Sequence, residues 1–322
     1  MAVTNTQVEA REAQKEEYQR PWLDIVKRFL RHRLALGSTI MMLLIIASVL
    51  IGPFFSSFTE RDLSVKQKNL PPMSTYTIEN NITNADGSIR TPKGEQLTVY
   101  TGTDELGRDL LTRLLYAGRV SLYIAFAVTL LSELIGIIIG VISGYFGKGV
   151  DAFIMRLVDF LNTLPLLPIL LLITTIVKPT INILIAILVF FGWTGGARLM
   201  RGQILSLREQ EYVAASRALG ASNMRIMFRH LVPNALAPNI VNASLALSGV
   251  MITEAALSFL GFGVQLPAAS WGNMLKDANS AMVLESYPWR AIFPGLAIFL
   301  CSLCFNFIGD GLRDALDPRA KR

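Results

Sequence analysis

Leu34 to Thr59 reads LALGSTIMMLLIIASVLIGPFFSSFT, a run with no charged side chain. An α-helix rises about 1.5 Å per residue, so some twenty apolar residues cross the roughly 30 Å hydrocarbon layer of a bilayer. This run meets that length and sets the reading of the rest. Working outward, Ala291–Gly309 is also charge-free, and Val120–Gly147 contains only Glu133. Phe160–Ala197 is interrupted only by Lys178-Pro179, which reads as a turn between two short spans. Leu231–Thr253 is charge-free. After Glu254 the apolar character resumes through Leu275, with Gly261, Gly263 and Pro267 marking that stretch as broken and partly re-entrant. The expectation is an all-α integral membrane protein with six transmembrane helices.

Composition agrees. Of 322 residues 52% are hydrophobic and 17% charged, too little charge to cover a soluble protein of this size. A net charge of +6 raises the question of nucleic acid, but its placement answers it. Arg11, Lys15, Arg20, Lys27, Arg28, Arg31 and Arg33 precede the first span. Arg198, Arg201, Arg208, Arg217, Arg225 and Arg229 follow the fourth, and Arg313, Arg319, Lys321 and Arg322 follow the sixth. Six spans put all three clusters on one side, which the positive-inside rule makes the cytoplasm. Both termini are therefore expected inside, with lipid rather than nucleic acid around the chain. The first 33 residues are too long and too mixed in sign for a cleaved signal, so the first apolar run reads as an uncleaved anchor. Cys301 and Cys304 sit inside an apolar run and imply no disulfide framework; with His32 and His230 on other elements, no metal site is expected.

The domain boundaries follow: a cytoplasmic arm 1–33, a first helix 34–58, an extracytoplasmic loop 59–118, a core 119–310 with five helices and an inner loop 198–236, and a cytoplasmic tail 311–322. In the outer loop, Tyr76–Ile82 and Gln96–Tyr100 are strand-like with Asp86-Gly87 as a tight turn between them. This hairpin is either a surface feature or a docking surface for a solute-delivering partner. In the inner loop, Glu211–Leu219 (EYVAASRAL) reads as a helix with small residues on one side, and Gly220 suits its stop. Ala221-Ser222-Asn223 caps a second short helix to His230, ended by Pro233. Flanking spans leave no room for entry into a DNA groove. Ala214, Ala215 and Ala218 permit close approach to a groove on a partner protein, and Arg217 can pair with acidic groups at its rim.

EYVAASRALGAS followed by RHLVPN resembles the coupling loop of ABC-importer permeases, whose pattern is Glu-Ala-Ala, three residues, Gly, nine residues, then Ile-x-Leu-Pro. Aligned on Gly220, this chain has Ala214 where the pattern has Glu, then Ala215 and Ser216; Pro233 fits, while His230 and Val232 replace Ile and Leu. GTDELGRDLLTRLL (Gly102–Leu115), EAALSFLGFGVQLP (Glu254–Pro267) with SWGNML (Ser270–Leu275), and FNFIGDGLRDALDPR (Phe305–Arg319) look like the C-type permease subunit of dipeptide, oligopeptide and nickel importers. The resemblance runs from about Trp22 to the C-terminus and is weakest between Met73 and Tyr100. It implies a type I ABC importer permease fold, a second homologous permease as heterodimer partner, two cytoplasmic ATP-binding subunits and an extracytoplasmic solute-binding protein. The coupling-loop residues it implies are Glu211, Ala214, Ala215, Arg217, Gly220, Arg225 and Pro233. The chain contains no G-x-x-x-x-G-K-[ST] phosphate loop, so no cofactor is expected on it; ATP and Mg would sit on the partner subunits.

Ionisable groups inside spans are functional candidates because they are costly in lipid. Glu133, with Gly136 and Gly140 nearby, reads as a helix-packing group or a path residue. Asp159 is expected to pair with Arg156 three residues back. Glu254, Phe259 and Gly261 are candidates for a gate or for contact with a delivering protein, Glu254 equally for a purely structural role. Pro165 and Pro168 should interrupt the third span and Pro294 the start of the sixth, while Asp310, Arg313, Asp314 and Asp317 should form a polar cap at the inner surface. No nucleophile, base and orienter occur together, so catalysis is not expected. A structural or signalling membrane protein would not co-purify with an ATPase. An ion-gradient transporter would show more spans and repeats, and an intramembrane enzyme would need His/Ser, paired Asp or HExxH within spans.

Overall fold

The computed structural model describes residues 21–59, 65–84, 86–177 and 180–316. The Lys178-Pro179 turn, Asp317 and the basic residues of the outermost termini lie outside them. An amphipathic helix, α1 (Pro21–Arg31), leads into α2 (Arg33–Phe55). His32 separates the two: its Nδ1 accepts the Ala35 N–H at 3.1 Å, and its Nε2 lies 3.5 Å from the Asp314 carboxylate. The expected polar cap at the inner surface thus reaches back to the first span.

Among the described residues five helices are long and apolar enough to cross a membrane, and a bent pair, counted as one span, brings the number to six. The straight ones are α2, α3 (Leu110–Phe146), α6 (Ile181–Leu207), α8 (Asn223–Phe259) and α11 (Trp289–Leu316). The third span is interrupted at Pro165, as expected, but not at Pro168. It comprises α4 (Lys148–Thr163) and α5 (Leu166–Ile176), bent by 77° where they meet. Pro165 is the cause: it offers no N–H to the preceding turn and drives Leu164 into an extended conformation (φ −78°, ψ 121°). Pro168 falls in the first turn of α5, where amides have no intrahelical partner, and is tolerated. Pro294, contrary to expectation, does not interrupt α11, which runs unbroken through it.

Two boundaries also move. The second span begins at Leu110, not near residue 119, because the Asp109 carboxylate caps it, accepting the Thr112 N–H at 2.7 Å. The extra turns stand outside the bilayer, since 37 residues make a helix of about 55 Å. The fifth span begins at Asn223, and Pro233 does not end a separate helix. The chain widens into a π-turn over Ile226–Leu231 and continues into the span. The wider register passes the proline ring where a regular turn would drive it against the carbonyl four residues back.

Helix α3 is the spine, packed along α6. Cβ atoms at Gly136 and Gly140 would lie 2.8 Å and 2.5 Å from the carbonyls of Trp193 and Ala197, so only glycine lets these backbones meet. One apolar core gathers α2, α3, α8 and α11 around Met42, Val49, Ala117, Met251, Cys301, Cys304 and Phe305; both cysteines are buried, free fillers. A second lies toward the α3–α6 inner ends and includes Val141, Met200, Ile204, Val213, Ile226 and Leu231.

The outer loop forms two ladders instead of one hairpin. Strand β1 (Ser74–Thr77) pairs antiparallel with β4 (Gln96–Val99), and β2 (Ile82–Thr83) with β3 (Ile89–Thr91). The expected Asp86-Gly87 turn closes the inner ladder, with Gly87 at φ +85°. The Asn81 side chain accepts the Lys93 N–H at 2.7 Å and separates the two ladders. Arg90 bolts this unit to the membrane part: its Nη1 donates to the carbonyls of Pro53, Ser56 and Phe58 at 3.1, 2.8 and 3.0 Å. A cation on the last carbonyls of α2 also complements the helix dipole.

Candidate functional site

The inner connection contains a short helix, α7 (Glu211–Ala218), as the sequence suggests. One side chain roots it: Val213 is fully buried against the Met200–Ile204 end of α6 and the Ile226–Leu231 turn of α8. Glu211, Tyr212, Ala214, Ala215, Arg217, Ala218 and Leu219 are exposed, Leu219 at 88%. An exposed leucine beside three alanines is a surface that close-packs, not one that water favours. Arg217 lies over the Tyr145 ring, 5.9 Å from its centroid, and the tyrosine hydroxyl donates to Asn223 Oδ1 at 2.8 Å.

Gly220 ends α7 by a Schellman turn. The Ala221 N–H donates to the Ser216 carbonyl at 3.1 Å and the Gly220 N–H to Arg217 at 3.0 Å, with Gly220 at φ +78°. A Cβ there would meet nothing within 4 Å, so the demand for glycine is one of backbone conformation alone. Ser222 then caps α8, its hydroxyl accepting the Arg225 N–H at 3.4 Å. Arg225 and Pro233 are exposed, flanking the buried face of the π-turn. The root of α7 is itself braced. Arg201 of α6 makes a bidentate pair with Asp151 of α4, which also accepts from Ser143 of α3 at 2.5 Å, and Arg208 donates to the Gly144 carbonyl at 2.8 Å. Asp159 does not pair with Arg156 as expected; it pairs with Arg198 across the α4–α6 contact, which brings a fixed partner closer than the i,i+3 geometry does.

Within the spans, Glu133 accepts the Asn242 amide at 2.6 Å and the Asn239 amide at 3.5 Å, and Asn239 also donates to the Gly196 carbonyl at 3.3 Å. Three helices are therefore joined through one carboxylate, the packing alternative of its reading. Asn242 also lines a cavity of about 450 Å³ with Leu199, Val241 and Arg313. Glu254 lies inside the protein. It is 1% exposed and holds Ser121 (3.1 Å) and Ser258 (2.7 Å). Those hydroxyls accept the N–H groups of Trp271 and Val264, so Glu254 is the centre of a knot that folds the broken outer segment onto α3 and α8. Phe259, 39% exposed, and Gly261, at φ +90°, form the end of α8, closed by a second Schellman turn. Gly261 is open to the outer segment, its missing Cβ 3.1 Å from Lys276 Nζ.

A charged cluster at the outer end escaped the sequence reading. Asp104 accepts from Arg108 Nε at 2.7 Å and Arg113 Nη1 at 2.5 Å. Arg113 also lies 3.6 Å from Asp277, between the short helices α9 (Trp271–Lys276) and α10 (Ala281–Ser286). Arg290, 3% exposed, donates to the Asp277 carbonyl at 2.6 Å and to Glu105 at 3.1 Å. Burial works to raise the Asp104 pKa, but the Arg113 and Arg108 guanidinium charges and their hydrogen bonds outweigh it and hold the carboxyl below its ordinary range. Asp277 sits above its ordinary range because burial dominates the pull of Arg113. The signal was present in GTDELGRDLLTRLL, where Asp104 and Arg108, then Asp109 and Arg113, stand four apart. Among the described residues no group of three or more His, Cys, Asp or Glu could hold a metal.

Comparison with known proteins fits this architecture. The family described as binding-protein-dependent transport system inner membrane component matches residues 136–322, and the N-terminal TM domain of oligopeptide transport permease C matches residues 20–72. The dipeptide transport system permease protein DppC of Bacillus subtilis is 36% identical over 93% of this chain and 86% of its own length. The oligopeptide transport system permease proteins OppC of Bacillus subtilis and Haemophilus influenzae are 39% and 37% identical, over 94% and 92% of this chain and 90% and 88% of theirs. Among solved structures, the MetNI methionine ABC transporter in inward-facing conformations aligns with a TM-score of 0.46 at 21% identity, covering 63% of this chain and 96% of that one. Matched by a family model over more than half its length and by relatives over more than nine-tenths of it, the chain belongs to the binding-protein-dependent transport system inner membrane components.

Proposed function

We propose that this chain is the C-type permease subunit of an ATP-driven importer of di- or oligopeptides, forming half of the path across the cytoplasmic membrane with both termini inside. One observation supports the reading: α7, between α6 and α8, offers an exposed alanine-and-leucine face, rooted by a single buried valine and stopped by Gly220. Such a piece is built to be gripped. The substrate class rests on the peptide permeases it resembles at 36–39% identity. The partners implied are a second, homologous permease, two ATP-binding subunits that carry ATP and Mg, and an extracytoplasmic solute-binding protein. This chain supplies no catalytic group and converts their motion into an open or closed path.

The mechanism follows from what α7 touches. A partner that closes on ATP pulls α7, and Val213 passes the displacement to the ends of α6 and α8 at once. The Arg201–Asp151 brace extends it to α4, so α4, α6 and α8 move as a group. Transport requires the partner to hold α7 differently in its two states, since equal grip would shift no equilibrium. Replacing Gly220 by valine tests this in a reconstituted transporter. Insertion and basal ATP hydrolysis should persist while peptide uptake is lost; uptake at the wild-type rate would remove the coupling role.

A further inference from the structure

Helix α2 has a defect that α3 repairs. Pro53 lacks the N–H that would close the turn onto the Val49 carbonyl, and Arg119 Nε donates to that carbonyl instead, at 2.9 Å. Its Nη2 donates to the Leu50 carbonyl at 2.7 Å, and the guanidinium lies 5.6 Å and 5.1 Å from the Phe54 and Tyr116 ring centroids. No acid pairs with it among the described residues. A guanidinium has five N–H donors, and these two bonds leave donors over. A cation in this position is expected to find an anion.

Depth identifies the anion. Leu50 lies about 25 Å along α2 from Arg33, which places Arg119 at the far edge of the hydrocarbon layer. Phe54, Phe55 and Tyr123, exposed at 76%, 83% and 57%, surround this level as an aromatic belt does. Below Arg119 a groove of about 520 Å³ runs toward the bilayer centre, lined by Ile46, Leu50, Phe54, Leu122, Tyr123 and Phe126. The order follows from chain direction, since α2 rises past Ile46 to Phe54 while α3 descends from Arg119 to Phe126.

The geometry points to a bound phospholipid of the outer leaflet, its phosphate on Arg119 and one acyl chain in the α2–α3 groove. A lipid brings charge and hydrocarbon in the order the site presents them. A protein helix filling the same groove would have to carry its own acid to this depth or leave the guanidinium buried without a counter-charge.

Native mass spectrometry of the full chain, purified with whatever subunits accompany it, tests the site with phosphatidylglycerol and with diacylglycerol of the same chains. Phosphatidylglycerol should be retained about tenfold better, the effect of a charge-assisted hydrogen bond of roughly 1.4 kcal/mol. Because Arg119→Gln alone also removes the repair of α2, the decisive variant is Pro53→Ala with Arg119→Gln, in which alanine restores the missing N–H. That pair should lose the preference while keeping wild-type helicity, and Arg119→Lys should retain it. Equal retention of both lipids, or an unchanged preference in the double variant, overturns the site. So does loss of a second permease from the purified complex with phospholipid retention intact, which would assign the groove to a protein interface.

Discussion

The two ends of the molecule treat charge and apolar surface in opposite ways. At the outer end, Asp104, Arg108, Arg113 and Arg290 are buried and satisfied by one another, by Asp277 and by Glu105. At the inner end, α7 leaves Leu219 in water and Arg217 resting on a ring, with only Val213 tucked away. The outer charged cluster is satisfied within this chain. The inner end reads as half of an interface. That contrast teaches where stability and where function are concentrated, and it can be broken by substitutions on either side.

The largest effect is expected at Asp104. Asp104→Ala leaves two buried guanidinium groups short of a counter-charge, and breaking a buried pair costs about 3–5 kcal/mol. Thermal unfolding of the purified chain should show this as a marked drop. Wild-type stability would mean that water already reaches the cluster. Next comes Val213→Ala, which opens a cavity in the inner core at a cost of about 1–2 kcal/mol. It should impair uptake more than stability, because α7 loses its one root; intact uptake would mean that α7 moves without it.

Gly220→Ala is smaller still. With nothing within 4 Å of the new Cβ, its cost is the left-handed backbone alone, about 1–2 kcal/mol at most and confined to the α7 stop. The smallest effect on folding belongs to Arg217→Ala, expected within about 0.5 kcal/mol of wild type, with ATPase binding nonetheless weakened. Equal co-purification of the ATPases would remove Arg217 from the interface.

Acid sharpens the contrast. The Asp104 pKa is lower folded than unfolded, so its contribution to stability is complete above the unfolded value, near 3.9, and is lost as pH falls through the folded one. Wild-type protein should therefore lose stability below about pH 4 more steeply than Asp104→Asn does. Parallel curves would mean that Asp104 is not held ionised by the arginines.

What the sequence disclosed and what it hid divide along sequence distance. The spans, the α7 helix, its stop at Gly220 and the Asp86-Gly87 turn each depend on residues within a few positions, and each was legible. The hidden features join distant segments: Arg290 reaches Glu105 from 185 positions away, and Arg198 takes Asp159 from Arg156 across 39. Local rules also misread prolines where tertiary packing overrides them. Pro165 breaks a span as its chemistry dictates, whereas Pro233 is absorbed by a π-turn whose inner face is buried on Met200 and Ile204. Glu254 read equally as a gate contact or a structural group, and its bonds to Ser121 and Ser258, which reach the first turn of α9 and Val264, make it a knot.

The account depends on α7 facing the cytoplasm and being covered there by a nucleotide-driven partner. Leu219→Cys, at an 88% exposed position just past α7, can be labelled with a membrane-impermeant maleimide in inverted vesicles, since Cys301 and Cys304 are buried. Labelling should be fast in vesicles stripped of ATPase subunits and blocked when they rebind. Labelling from the opposite face of the membrane, or at the same rate with and without the ATPases, would contradict it.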